Sequence, residues 1–497
     1  MSPQRRYAGT LPRIRAVLSH RAIYEIGGEL QPESAVGRPP AHPAYVLLIF
    51  ATLARIMRST IRVETDLMDP DTWRLIRGLM VNTLEREGLD LPEPGLHPPA
   101  WHHWRRLRDD HLATEEGLAH IARLHLPRAV DLAQRLDLLT PRGPSSLTHP
   151  GAERAIYGDG TIVRPIYRPP ETVKITGDDG AETTWFINPH TKEPQEAPPH
   201  RYDADIARHE GHAGPALGHG YVAWHTRAKR PYGRVMLHLG HIDHPGGEAA
   251  TAVALLRDIH RVAGQAIQIV IYDGAFRGIH LDEIMRDFGY LAIAKQPTFS
   301  DEELATTTLV RTSDGRRVRS MPLGVVTHVT INGECHHTLA AINGAVAQLD
   351  LDETGDPVVV SYPARGAIKR ARRSHGQFHF NIGYRVACVH GDFDTWLTPH
   401  SRGPGDSRPE ALRAFPDGDP DTPRLRGLRS DAESAHSGFK RTLITERAMA
   451  LGWRRGLLEY YCYAWYSNAM ADQAGRVAAQ AKGSHTEGAM LRTVHGT

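Results

Sequence analysis

Residues 267–274 read IQIVIYDG. Apart from Gln268 the run is apolar through Tyr272, without the alternation of a half-exposed strand, so it predicts a strand buried on both faces in the middle of a sheet. The strand ends on Asp273, followed by a glycine. Asp-Gly is an ordinary turn-forming dipeptide, so Asp273 can be no more than the corner that stops the strand. A carboxylate at the end of a central strand is also a place where hard-oxygen chemistry can be built, and both readings stand at this point.

Working outward, 246–264 carries Ala250, Val253, Ala254, Leu256 and Ile259 at helical spacing, and GYVAWHTR (220–227) and GRVMLHLGHI (233–242) predict two short strands around a Pro-Tyr-Gly turn. Further back, ERAIYGDGTIVRPIY (153–167) predicts a strand carrying Asp159, again followed by glycine, and a polar, Gly/Pro-rich excursion separates it from Gly218. On the other side lie a helix, IHLDEIMRDFG (279–289), and a strand, YLAIAKQ (290–296). Three strands, a helix, a buried strand, a helix and a strand make an α/β unit, a mixed sheet with helices on its faces.

The flanks differ in character. Residues 1–148 predict an all-helical N-terminal domain closed by the linker PRGPSS (141–146), with helical patterns at 43–58, 71–80 and 101–139. From 299 to 400 the pattern is strand-like, with LVRT, VVTHVTI, HTLAAI, VVVSY and FHFNIGYRVACVHG parted by Gly, Asn and Asp turns, which predicts a large β insertion. A Pro/Asp/Gly-rich connector (402–424) leads to LRGLRSDAESAHSGFKRTLITERAMALGW (425–453) and an aromatic-rich helical end, giving boundaries of 149–298 and 401–470 for the two parts of the α/β unit and 471–497 for a helical tail.

Within 425–453, Arg429, Glu433 and Lys440 fall at about 0°, 40° and 20° around a helix, a single face on which two cations flank a carboxylate. Ser430 and Glu433 equally match a capping box, S-x-x-E, with Arg429 just outside the helix. Asp159, Asp273 and Glu433 together offer three hard oxygen ligands, the set that a two-Mg²⁺ phosphoryl-transfer site uses.

Composition bounds the partners. The chain has 497 residues, beyond the size of one ordinary core, and its 23% charged residues at a net charge of +2 describe a soluble globular protein with no overall bias toward polyanions. Positive charge is local: Arg365, Lys369, Arg370, Arg372 and Arg373 crowd nine residues with no acid among them, either a solvated surface or a nucleic-acid contact. No apolar run reaches the ~18–20 residues of a spanning helix, and the basic N-terminus lacks a signal-peptide core, so no membrane association is expected. Cys335, Cys388 and Cys462 lie far apart without C-x-x-C, which argues against a disulfide framework and does not support a zinc knuckle.

With these residues in view the chain resembles the DDE transposases of bacterial insertion sequences, in the insertion-sequence-four group. YGDGT around Asp159 and YDGAF around Asp273 match the first two acidic motifs, and Arg429, Glu433 and Lys440 match the signature Tyr-x2-Arg-x3-Glu-x6-Lys, with Arg426 where the Tyr stands. Residues 42–80 and 202–221 are similar to further parts of such proteins, so the resemblance covers most of the chain. It implies a ribonuclease H-like core split by a β insertion, with Asp159, Asp273 and Glu433 as catalytic residues binding two Mg²⁺ ions, Mn²⁺ being a substitute. It further implies double-stranded DNA as partner, both transposon ends and target, a homodimer on that DNA, and a cytoplasmic, nucleoid-associated location in a bacterium. Arg429 and Lys440 would hold DNA phosphates, joined by Arg426 and by Lys369, Arg370, Arg372 and Arg373 of the insertion. Related enzymes sometimes hold a flipped base with a tryptophan of the β insertion, and Trp396 lies near that region, with packing as its favoured reading. The implied activity is nicking at transposon ends and joining of the 3′-OH to target DNA. The alternatives are a domesticated, catalytically silent DNA-binding protein, or a metal-dependent nuclease without strand transfer.

Overall fold

The computed structural model describes residues 9–32, 40–141, 146–176, 180–210, 214–294, 308–331, 333–373, 375–403, 406, 408–427 and 430–494, the side chains of 482–494 excepted. At the centre, β1 (Ala155–Val163) lies between β6 (Ala216–Arg227), antiparallel to it, and β8 (Ile269–Ile271), parallel to it. β7 (Arg234–Ile242) extends the sheet antiparallel beyond β6, and β9 (Leu291–Ile293) extends it parallel beyond β8. The five strands thus run in the order β7-β6-β1-β8-β9, a mixed sheet with β5 (Ala207–His209) as a short addition on β6.

The predicted buried strand is buried on both faces. Ile269 and Ile271 join the core that also holds Ala155 and Tyr157, whereas Val270 and Tyr272 join Ile156, Val222 and Trp224 on the other side. Period-two alternation does this: every second side chain leaves by the same face, so a strand inside a three-layer unit must be apolar at every position.

Among the described residues the N-terminal part is helical: α1 (Thr10–Leu18), α2 (Arg21–Glu29), α3 (Ala44–Met57), α4 (Thr60–Leu67), α5 (Pro70–Glu87), α6 (Trp101–Leu107) and α7 (Glu115–Arg135). α8 (Glu248–Ala263) covers one face of the sheet. α9 (Gly278–Glu283), α10 (Arg408–Ala411), α11 (Asp421–Arg426) and α12 (Ser430–Arg441) precede a 42-residue helix, α13 (Trp453–Val494), which runs unbroken through the expected boundary at 470. Leu458, Tyr461 and Trp465 of α13 share one core with Ile23, Tyr45 and Phe50 from the N-terminal helices and with Ala223 and Met236 of the sheet. α3 is buried along nearly its whole length in that core, and no single helix among the described residues is long and apolar enough to cross a membrane.

The insertion has two parts. β10 (Thr308–Arg311), β11 (Arg317–Thr330), β12 (Gly333–Ile342), β13 (Ala345–Leu351) and β14 (Pro357–Ser361) close into a barrel, and β15 (Ala364–Arg372), β16 (Phe378–Val386) and β17 (Phe393–Leu397) form a three-stranded sheet. The excursion between β1 and β6 holds a small sheet of its own, β2 (Thr172–Thr176), β3 (Glu182–Ile187) and β4 (Pro194–Gln195). The sequence predicts no strands there, because these residues are exposed or only partly buried and no apolar face announces the sheet.

α12 is fixed to the sheet by an ion cluster. Arg234 of β7 donates from Nε to Asp431 Oδ2 and from Nη2 to Oδ1, both at 2.6 Å, and from Nη2 to the Asp431 carbonyl at 3.0 Å. Arg227 of β6 lies 2.6 Å from the same carboxylate and His225 Nε2 3.4 Å from it. Burial opposes ionisation of Asp431, but His225 and the two bonds from Arg234 overcome it and hold the carboxyl far below its usual range. Asp431→Ala should therefore cost about 3–5 kcal/mol, as it strands two arginines against a buried face. Because the folded-state pKa is depressed, this contribution is present above the unfolded value of about 4 and is lost as pH falls below it. Urea unfolding of the two proteins at pH 7 measures it; a difference under about 1 kcal/mol would show the cluster to be a solvated pair of ordinary worth.

Candidate active site

The strand register brings two of the expected carboxylates together. Tyr157 of β1 pairs with Ile271 of β8 in a parallel ladder, so Asp159 and Asp273, each two residues further on, leave adjacent strands side by side. β8 has ended by then, and Asp273 Oδ1 accepts a 2.8 Å hydrogen bond from the Ala275 amide, an Asx turn. The turn former is thus also one of the clustered carboxylates. Asp159 is not in a turn; it lies within β1, opposite Ala223.

The third member of the group is Glu248. One carboxylate oxygen each of Asp159, Glu248 and Asp273 lie within 4.8 Å of one another. Glu248 opens α8 on the other face of the sheet, and it reaches the aspartates past Gly160, where a Cβ would run into its carboxylate. The glycine of the Asp159-Gly160 pair therefore clears a space rather than making a turn. Tyr272 donates a 3.0 Å hydrogen bond to Glu248 Oε1, and its ring stacks on Phe276 at 4.2 Å. Burial, then the nearby charge of Asp273, push the Glu248 carboxyl up to about 7, although the Tyr272 hydroxyl pulls the other way. Nothing in the sequence distinguishes Glu248 from an acid that complements a helix N-terminus.

α12 faces this group from the Asp159 side. His436 Nε2 is 3.8 Å from Asp159 Oδ2, and Tyr460 Oη lies 2.7 Å from His436 Nδ1. Burial, then Lys440, push the imidazole pKa down to about 3, so the ring is neutral at pH 7. With the Tyr460 hydroxyl donating to Nδ1, the ring proton is assigned to Nε2, pointing toward the Asp159 carboxylate. Lys440, half-buried one turn further on, has its pKa lowered by burial, with Glu446 and Asp159 among the acids that sustain its charge.

Glu433 is exposed and lies outside the acidic group. It sits three residues before His436 and about 20° from Lys440 around the helix, hence on the face that α12 turns to Asp159. Arg429 falls outside the described residues, and its one-face relation to Lys440 with it, whereas Ser430 is the first residue of α12 and Glu433 stands in its first turn. Arg426 pairs with Asp417 and donates to the Ala294 carbonyl at 3.2 Å, at the sheet edge from which Asp273 emerges.

The basic run divides. Arg365 is buried against Asp419, donating from Nε at 2.5 Å and from Nη2 at 3.2 Å, and is structural. Arg370 donates to the Gly289 carbonyl at 2.5 Å and lies over Phe378 together with Arg372. Arg373 is exposed, beside His379. Lys369 Nζ stands 4.0 Å above the ring of Trp396, which is 42% exposed on the insertion surface. Comparison with family models, with curated proteins and with solved structures yields no match to the chain.

Glu248 is a charge held against its preference. A carboxyl raised to about 7 contributes fully below its unfolded pKa of about 4.5 and loses that contribution as pH rises through 7. In chelator-containing buffer, Glu248→Gln should therefore raise stability by up to about 3 kcal/mol at pH 8.5 and change it little at pH 4.5. Thermal unfolding across that range tests it; equal effects at both ends would place the carboxylate in open solvent.

Proposed function

We propose that the protein is a metal-dependent enzyme of DNA phosphoryl transfer, and within that class a DDE-type transposase with a ribonuclease H-like core. The observation that carries the reading is the meeting of Asp159 and Asp273 at adjacent strand ends, with Glu248 completing a group of carboxylates within 4.8 Å. The strand order β7-β6-β1-β8-β9, antiparallel on one side of β1 and parallel on the other, supports it, as does the placement of α12 against β1 after a long β insertion.

The donor set fits Mg²⁺. All three groups offer hard oxygens, and Glu248, raised by burial first and by the Asp273 charge second, is a carboxylate whose charge a bound cation would favour. Asp159 and Asp273 would hold the metal with Glu248 beside them, and bound Mg²⁺ would supply activation of a water or 3′-hydroxyl and stabilisation of the leaving 3′-oxygen. His436 keeps a neutral imidazole 3.8 Å from the Asp159 carboxylate, and Lys440 would place a cation next to the scissile phosphate. Glu433, on the same side of α12 as His436 and Lys440, is proposed as a further carboxylate that its own side chain would bring to the bound metal, α12 staying in place. Lys369, Arg372 and Arg373, with Trp396, would meet DNA on the insertion; such contacts weaken steeply with salt.

Purified protein, Mg²⁺, plasmid and candidate end DNA test the proposal. Strand-transfer products are expected, Asp159→Ala and Asp273→Ala should each lower cleavage by at least about 10³-fold, and Glu433→Gln by at least about 10²-fold. Glu248→Gln should instead raise the Mg²⁺ concentration needed for half-maximal cleavage. The exposure of Glu433 favours one second reading, a DNA-binding protein that keeps the fold without catalysis. Stable end binding without cleavage in Mg²⁺ or Mn²⁺ would establish that reading, and nicking without joining would make the protein a nuclease.

A further inference from the structure

The β insertion holds a second cluster of ligating groups, unrelated to the carboxylates. In the β11–β12 hairpin His328 pairs directly with Cys335, and His337, two residues beyond Cys335, projects from the same face. The loop after β16 brings Cys388 to them: one ligand atom each of His328, His337 and Cys388 lie within 4.8 Å of one another. Cys335 is not among those three mutually close atoms, but its place opposite His328 and on the face that carries His337 puts its thiol beside the group. Both thiols are free.

The ring nitrogens supply an independent sign of a missing partner. His328 Nδ1 and His337 Nε2 are both buried without a hydrogen-bond partner. Two such orphans in one place cost on the order of 1–3 kcal/mol each unless something accepts their lone pairs. The rings are also held in place. His328 stacks on Phe393 at 4.3 Å and 16°, and the His337 ring centre is 5.2 Å from the same side chain. The Gln348 amide lies 3.0 Å from His337 Nδ1, and its other end lies 3.0 Å from Ser361 Oγ. The atom nearest Nδ1 is Gln348 Nε2, and Ser361 Oγ donates to Gln348 Oε1; a metal on His337 Nε2 requires the amide turned over, so that Nδ1–H donates to its oxygen and the Nε2 lone pair is free.

We propose that His328, Cys335, His337 and Cys388 bind one Zn²⁺ ion. Two imidazoles and two thiols are a tetrahedral structural zinc set, and their softness rules out the Mg²⁺ expected at the carboxylates. Binding releases the two thiol protons to solvent and leaves thiolate ligands. The ion ties the barrel, through β11 and β12, to the three-stranded sheet, through the end of β16. It thereby sets the angle at which Lys369 and Trp396 are presented. Sequence spacing conceals the site because its two halves, 328–337 and 388, meet only in the folded insertion.

The full chain, grown with zinc and purified under reducing conditions without chelator, is tested by elemental analysis and by cobalt substitution. About one zinc per chain is expected in the unaltered protein and in Asp273→Ala, and less than about a tenth of that in Cys388→Ser and in His337→Ala. Cysteine 462, buried in α13, serves as control, since Cys462→Ser should keep the zinc. Cobalt exchanged into the unaltered protein should give the intense visible bands of a tetrahedral thiolate site, a readout that needs no variant to fold. Zinc-free unaltered protein, zinc retained in Cys388→Ser, or a Cys335–Cys388 disulfide under these conditions would overturn the proposal. None of these readouts depends on DNA cleavage.

Discussion

The carboxylate of Asp431, held by Arg234 and Arg227, is the contact on which the arrangement around β1 depends. Taking these charges out of water is expensive, and an apolar residue of similar volume could bury the same face at comparable stability. What an apolar contact would not supply is angle. Arg234 grips both carboxylate oxygens and the backbone carbonyl of the same residue, so α12 cannot roll or slide without breaking directional bonds. His436 lies five residues on and Lys440 nine, and their approach to Asp159 follows from that fixed rotation. The ion cluster orients the helix, and the packing of Ala435 and Phe439 stabilises it.

The acidic group works against the fold that carries it. Burial and Asp273 both disfavour the charged form of Glu248, while Tyr272 and the position at the start of α8 favour it. Gly160, which leaves β1 without a side chain at this point, weakens the strand in order to admit that carboxylate. A sequence selected for stability alone would place a larger residue at 160 and a neutral one at 248. Local choices that disagree with the fold in this way are the physical mark of a functional place.

Much of this was legible in the sequence where a single period decided it. IQIVIYDG reads as a strand covered on both faces, while the parallel register that sets Asp159 beside Asp273 is seen only in the structure. What was not legible depends on side chains that cross between layers. Glu248 looks like a routine acid at a helix start, and only its passage over Gly160 joins it to the aspartates. Asp431 was hidden by its neighbours, because S-x-x-E drew the eye to Ser430 and Glu433 while the buried residue between them made the contact. Glu433, the acid that the motif singles out, is exposed. A motif fixes which face of a helix a residue shares, not how far that face stands from the sheet.

The insertion shows the same division between composition and placement. Five cations in nine residues suggest one basic edge, yet Arg365 neutralises Asp419 under the ring of Phe415 and Arg370 donates to a backbone carbonyl. A guanidinium already paired and buried adds little to the field outside. The positive surface therefore comes down to Lys369, Arg372 and Arg373, and Lys369 leans over an exposed tryptophan. A cation over an indole face gains about 0.5–1 kcal/mol in such a setting, too little to lock either group. Both therefore stay free to exchange that contact, whereas Arg365 is held in the seam between the insertion and the 411–425 segment and Arg370 is held by the Gly289 carbonyl.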